Sequence, residues 1–366
     1  MADEWDELQE RAPRSWLIRR WAAPAALAAC VAASIGAVHL WAPGPAATGE
    51  DRVPRFIVTT GEIGTFTQGV PRPWFQVGAP GEAMRRPVDS VPAPPSAGAA
   101  QSIIAGPDGT FVLSAFQEKS CTTRLFRFRL TPDGQVKDLA PLPGGTVPTR
   151  VAGLAMSPDG DRLAYATAPC ADAAQPQAAV TVLDVDSGRR RNWSTAAPSV
   201  VGEIVWARDN RTLGYTIADM RAWPLRGGNG PGFPPERRVE NVTLHALDMD
   251  RGGSDLRAGR VLFRQPDGSA PVTTAVMAPD GRRGYGVMKR ARPASMVFFA
   301  FTPGKPMKVT GTIDLKPNTA VGVILSSGGE PRYACLGGID SFGRVVDGGF
   351  RTTQGSGLGC SVAYAY

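Results

Sequence analysis

Apolar positions in this chain fall into two regimes. From Trp21 to Trp41 the sequence reads WAAPAALAACVAASIGAVHLW, with no acidic or basic side chain except His39. Beyond it the apolar residues come in short runs cut by Gly, Pro, Asp and Asn. The first regime predicts a helix that would span roughly 30 Å, the thickness of a bilayer's hydrocarbon core. The second predicts strands. Leu125–Leu130 (LFRFRL), Val180–Val185 (VTVLDV), Thr243–Leu247 (TLHAL) and Met296–Phe301 (MVFFAF) are each followed by turn residues, and the clearest of them alternate apolar with polar positions.

The runs repeat. Ser102–Phe116 (SIIAGPDGTFVLSAF), Gly153–Thr167 (GLAMSPDGDRLAYAT), Glu203–Ile217 (EIVWARDNRTLGYTI) and Ala275–Met288 (AVMAPDGRRGYGVM) share one plan. An apolar run meets a Pro-Asp-Gly or Asp-Asn turn, and a second apolar run follows. Asp-Gly and Asp-Asn tolerate the left-handed backbone of a tight hairpin, and Pro presets φ ahead of it. The turn aspartates Asp108, Asp159, Asp209 and Asp280 lie 51, 50 and 71 residues apart. A Gly/Pro-rich insertion, Arg221–Arg238, accounts for the long interval. A degraded fifth copy, Val323–Leu336, places Glu330 another 50 residues on. Two hairpins per repeat give four strands, the content of one propeller blade.

The fold expected is therefore all-β: a β-propeller of six four-stranded blades, or seven if the long fourth unit hides a partial sheet, preceded by one N-terminal transmembrane helix. The boundaries expected are a short cytoplasmic tail over 1–20, the helix over 21–41, a linker over 42–52 and the propeller over 53–366. The blades fall near 53–100, 101–147, 148–198, 199–270, 271–315 and 316–366. The strand near Arg55–Thr60 should pair with the C-terminal unit, because a propeller leaves few edges open.

The Pro-Asp-Gly segments, MSPDGDRLAYAT above all, resemble the WD40-like repeats of the TolB type. From Val53 onward the chain looks like the exported propeller proteins of high-GC actinobacteria. That resemblance implies a binding platform or a domain attached to an enzyme. The Gly-His and Trp-Asp pairs of true WD40 repeats are absent.

Composition agrees with many short elements: 43 Gly and 33 Pro in 366 residues exceed the usual roughly 7% and 5%. Four Arg precede the apolar segment, and the next basic residues after it are Arg52 and Arg55. This asymmetry predicts a single pass through the cytoplasmic membrane, N-terminus inside and propeller outside. Two other fates compete: Leu27-Ala28-Ala29-Cys30 fits a lipidation site, and Ala46-Ala47 fits a cleavage site. All three export the domain. The net charge of +7 comes mostly from singly spread Arg, and no nucleic acid is expected as partner; a protein or cell-envelope partner is.

Cys121, Cys170, Cys335 and Cys360 lie beyond the apolar segment, and in an exported domain they suggest disulfides. Spacing favours Cys121–Cys170 and Cys335–Cys360 among three connectivities.

Catalytic signals are weak. The only histidines are His39 and His245, and no nucleophile elbow lies near the second; Gly359-Cys360-Ser361 lacks the following helix. Asp184–Gly188 and Asp248–Asp250 imitate the start of a calcium loop, but Thr195 and Gly259 stand where Glu is required. They read as hairpin turns. No phosphate-binding glycine motif precedes a helix. Neither catalytic residues nor a cofactor nor a metal is assigned. Asn192, Asn210 and Asn241 begin glycosylation-type triplets that say little. The candidate partner-binding element is the insertion, where Arg221, Arg226, Arg237 and Arg238 join Trp223 and Phe233, a composition common in binding hot spots. The same composition also suits a tolerated surface loop.

Overall fold

The computed structural model describes residues 55–60, 73–79, 86–170, 177–223, 236–266, 268–315, 320–324, 333–337, 341–346, 349–355 and 362–365, with side chains up to 315 apart from 221–239 and 291. Trp21–Trp41, with His39, lies outside them. Among the described residues no helix is long and apolar enough to cross a membrane.

The chain is all-β, and its strands follow one another in antiparallel meanders. Unit I opens with β1 (Phe56–Thr59), β2 (Phe75–Gly78) and β3 (Asp89–Val91). Unit II is β4 (Ala99–Ala105), β5 (Thr110–Gln117), β6 (Thr122–Leu130) and β7 (Val136–Val147). Unit III is β8 (Arg150–Met156), β9 (Arg162–Ala168), β10 (Gln177–Asp184) and the first half of β11 (Arg190–Trp206). The second half of β11 begins unit IV, with β12 (Thr212–Trp223), β13 (Glu236–Asp248) and β14 (Arg260–Arg264). Unit V is β15 (Val272–Met277), β16 (Gly284–Ala291), β17 (Ala294–Phe301) and β18 (Lys308–Asp314). Unit VI is β19 (Ala320–Ile324), β20 (Tyr333–Gly337), β21 (Ser341–Val346) and β22 (Gly349–Gly355). Finally β23 (Val362–Ala365) returns to unit I and pairs with β1, Phe56 opposite Ala365 and Thr59 opposite Val362.

Units III and IV form one seven-stranded sheet, because β11 passes from one to the other without a break. Up to Pro198 it pairs with β10, and from Ser199 it pairs with β12. The other units are separate four-stranded sheets. The boundaries expected near 100, 147, 270 and 315 fall within a few residues of a strand end, whereas the one at 198/199 falls inside the unbroken β11, and no extra partial sheet appears in unit IV among the described residues.

The turns form as their residues dictate. Gly160, Asn210 and Gly281 take positive φ of 81°, 54° and 68°, and their N–H groups reach back to Ser157, Ala207 and Ala278. In unit II the turn is shifted by one residue. There Asp108 and Gly109 both take positive φ, 53° and 66°, and Thr110 N–H bonds Pro107 O at 3.0 Å. Asp159, Asp209 and Asp280 each serve their own turn. Asp209 accepts the N–H groups of Arg211 and Thr212 at 2.9 and 2.7 Å, and Asp280 those of Arg282 and Arg283.

The core lies between sheets. Units I and II meet through Trp74 edge-on to Phe126, with Phe75, Phe128 and Phe111 stacked in a row. Ile104, Val112 and Leu125 of unit II pack on Leu154, Met156 and Tyr165 of unit III. Phe263 of unit IV packs on Phe299 and Phe301 of unit V at 5.3 and 4.8 Å. In unit V the middle strand is buried on both faces, Met296, Val297, Phe298 and Phe299 alike, so MVFFAF does not alternate. The first strands β23, β4, β8, β11 and β15 neighbour one another in that order, a propeller-like fan.

Candidate functional site

Strand direction sorts the connections onto two faces. Turns from first to second strand and from third to fourth strand share one face, called the turn face. Hairpins from second to third strand lie on the other, the hairpin face. The Pro-Asp-Gly turns and the turns at Asp184–Gly188, Asp248–Gly253 and Pro303-Gly304 are all on the turn face. There they touch in sequence. Asp159 N–H bonds the Asn210 side chain at 3.0 Å, Arg162 bonds Asn210 O at 2.6 Å, and Arg208 N–H bonds Pro279 O at 2.9 Å.

The two calcium-like segments are hairpin turns. Asp184 accepts Ser187 N–H and hydroxyl at 2.8 and 2.6 Å. Asp248 is gripped through both oxygens by Arg211 at 2.7 Å, and Asp250 approaches the same guanidinium at 3.0 Å. The hydrogen bonds from Arg211, foremost, hold the Asp248 carboxyl down at about 2. At the Asp248 turn the Arg211 guanidinium already engages both carboxylates, and no group of metal-ligating side chains occurs among the described residues.

On the hairpin face Cys121, between β5 and β6, is bonded to Cys170, just after β9, with Cα atoms 5.8 Å apart. The bond ties unit II to unit III. Cys335 is placed in β20, while Cys360 lies outside the described residues, as does the Gly359-Cys360-Ser361 triplet.

The insertion also rises from this face, and the structure carries strand pairing into it. Arg221 stands opposite Arg238, Ala222 opposite Arg237 and Trp223 opposite Glu236, so four of the six candidate residues belong to an extended hairpin. Arg226 and Phe233 lie outside the described residues.

His245 is enclosed in unit IV. It is 4% exposed, stacked on Tyr215, and its ring nitrogens lie 3.1 Å from Gly259 O and Thr243 Oγ1. Burial, with nearby Arg257 and Arg264, holds its pKa below the usual imidazole range. Of the glycosylation-type residues, Asn192 takes the Thr181 hydroxyl at 2.7 Å, Asn210 caps the turn of unit III, and Asn241 bonds Asp219 at 3.1 Å.

One group escaped the sequence reading. Glu203, on β11, is 5% exposed and accepts one hydrogen bond, from the Thr274 hydroxyl of β15 at 3.2 Å. Burial pushes its carboxyl up to about 8 against that hydrogen bond. It stands where the first strands of other units carry Ser102, Gly153 and Thr274, beside the bulge each of these strands contains. A lone carboxylate inside the apolar run VVGEIVW was the available signal.

No protein-family model matches the chain, and no curated protein is similar to it. Solved structures are similar in outline. One is Kuenenia stuttgartiensis hydrazine synthase, 14% identical over 72% of this chain and 73% of that one, with a TM-score of 0.44. Another is a prolyl endopeptidase, 16% identical over 66% of this chain and 33% of that one, TM-score 0.39. A third is the β-propeller domain of the trilobed protease from Pyrococcus furiosus, 13% identical over 67% of each chain, TM-score 0.33. Such likenesses say nothing of activity, and the propeller-like fold is read from the sheet topology itself.

Proposed function

We propose that the chain is a six-bladed β-propeller held outside the cytoplasmic membrane by Trp21–Trp41 and serving as a non-catalytic binding platform. The observation that carries the non-catalytic part is His245: its ring is buried and both nitrogens are engaged inside one sheet, so it is unavailable as a base. The anchor reading is supported by the 21-residue apolar segment and its Arg-rich approach. The partner is a protein or envelope component met by the loops of one face. The test is an epitope inserted between Gly304 and Lys305, an exposed turn, in wall-stripped cells with intact membranes. Antibody binding without permeabilisation is expected, and binding only after permeabilisation overturns the export.

Glu203 favours a second reading, an exported hydrolase or lyase. A carboxylic acid kept protonated near neutral pH is what a general acid needs. Turnover of any glycan, lactone or peptide substrate by the full chain, abolished in Glu203→Gln with binding retained, would establish that reading in place of the first.

A further inference from the structure

We propose that the Cys121–Cys170 bond is a thiol–disulfide exchange site: an incoming dithiol opens it while the protein stays folded, and a small disulfide closes it again. Its place in the fold gives a reagent access. Cys170 is exposed, as are Pro169 beside it and Glu118, Lys119 and Ser120 in the β5–β6 tip, whereas Cys121 is half-buried. The bond therefore lies at the surface of the hairpin face, with Cys170 as its better-presented half.

The contacts around the bond hold without it. Thr123 Oγ1 donates to Thr149 O at 2.8 Å, and Thr149 Oγ1 donates to Ala168 O at 2.7 Å. These two bonds already join β6, the link between β7 and β8, and the end of β9. Beneath them Leu125 of unit II packs with Leu154, Leu163 and Tyr165 of unit III. The tip also closes on itself. Cys121 N–H bonds Glu118 O, the Ser120 hydroxyl bonds the Gln117 side chain, and the Thr122 hydroxyl bonds Ser120 O, each at 3.1 Å. Opening the bond breaks none of these contacts. It leaves the two thiols on backbone positions 5.8 Å apart, close enough to pair again.

The backbone at Cys121 shows that the position is kept for a sulfur. Its φ of 49° lies in the left-handed region, which is disfavoured for a residue with a Cβ. The other non-glycine residues described there are Ser, Asp and Asn, types whose short polar side chains can bond nearby backbone. A cysteine in a disulfide makes no such bond, so this turn forgoes its preferred residue to place a sulfur at the surface.

The exchange runs in two displacements. A thiolate of the dithiol attacks Cys170 Sγ, the S–S bond breaks, and its electron pair leaves on Cys121 Sγ, which takes up a proton. The reagent is now joined to Cys170 as a mixed disulfide. Its second thiolate attacks its own bonded sulfur, forming the reagent's internal disulfide and releasing Cys170, which is protonated in turn. Two electrons and two protons pass from the dithiol to the protein. The hairpin face of units II and III thus has a tied and an untied form, chosen by the redox poise around it.

The experiment treats the full chain, in detergent without denaturant, with dithiothreitol, then alkylates the cysteines and assigns each label by peptide mass. Cys121 and Cys170 should become labelled roughly tenfold or more faster than the chain unfolds globally. The reduced protein should keep a single cooperative melt at a lower temperature. Hydrogen exchange should quicken only in 117–123 and 168–170, and the untreated variant C121S/C170S should show the same pattern. Reduced glutathione, a monothiol, should be trapped on Cys170, and oxidised glutathione should restore the bond. The proposal is overturned if the two cysteines label before any reductant is added, or only in urea that unfolds the chain. It is equally overturned if glutathione is trapped on Cys121, or if faster exchange spreads through β8 and β9, which would make the bond a structural staple.

Discussion

Glu203 gives this protein one source of pH-dependent stability. In an unfolded chain its carboxyl would ionise near 4.5, whereas burial between β11 and β15 raises it to about 8. The folded state therefore retains a proton that the unfolded state releases. Its stability is undiminished below pH 4.5 and declines as pH climbs toward 8. Replacing Glu203 by Gln should remove that decline and stabilise the fold by about 3 kcal/mol at pH 7. Urea melts of both proteins at pH 5 and pH 8 provide the check: parallel pH profiles would show that the carboxyl is not buried in solution. Asp209 is tuned the other way. Burial alone would raise its pKa, but hydrogen bonds from Thr212 and Arg211 outweigh this and hold it low. Asp209→Ala should cost about 1 kcal/mol, and Asp209→Asn less, since an amide oxygen can still take the turn's N–H groups. Equal losses in urea melts would refute the turn's dependence on the oxygen.

At the scale of strands and turns, the sequence is most legible where chemistry leaves little choice. Asp-Gly and Asp-Asn forced hairpins, so β4–β5, β8–β9, β11–β12 and β15–β16 were readable from their turns. Three things were hidden. The unbroken β11 was invisible, since Pro198 reads as a stop, and here it ends pairing with β10 only for Ser199 to begin pairing with β12. The strands entering the insertion were masked by Gly and Pro, although Arg221-Ala222-Trp223 pairs residue for residue with Glu236-Arg237-Arg238. Glu203 was lost in an apolar run because a sheet covered on both faces shows no alternation to make one carboxylate stand out. Of the candidate site, the disulfide was readable by spacing. Cys121–Cys170 closes a loop of sequence separation 49 between two units. Replacing both by Ser should lower stability by roughly 2–4 kcal/mol, and a thermal melt of the double variant matching a reduced wild type would tie the loss to this bond.

The whole molecule depends on its last strand. Without β23, β1 loses one of its two ladder partners and unit I keeps only short strands of three or four residues. Ending the chain after Gly355 should leave protein that melts earlier and less cooperatively and elutes partly as aggregate, because an unpaired edge templates other chains. A truncated protein that is monomeric with an unshifted melt would mean the fan is stable open. The pairing of β1 with β23 also fixes an order of events during biosynthesis. The two strands lie about 300 residues apart in the chain, so at roughly 5–20 residues per second β1 waits some tens of seconds before its partner is made. Through that interval every nascent copy carries a bare edge on β1, open to pairing with other chains until the clasp can fasten.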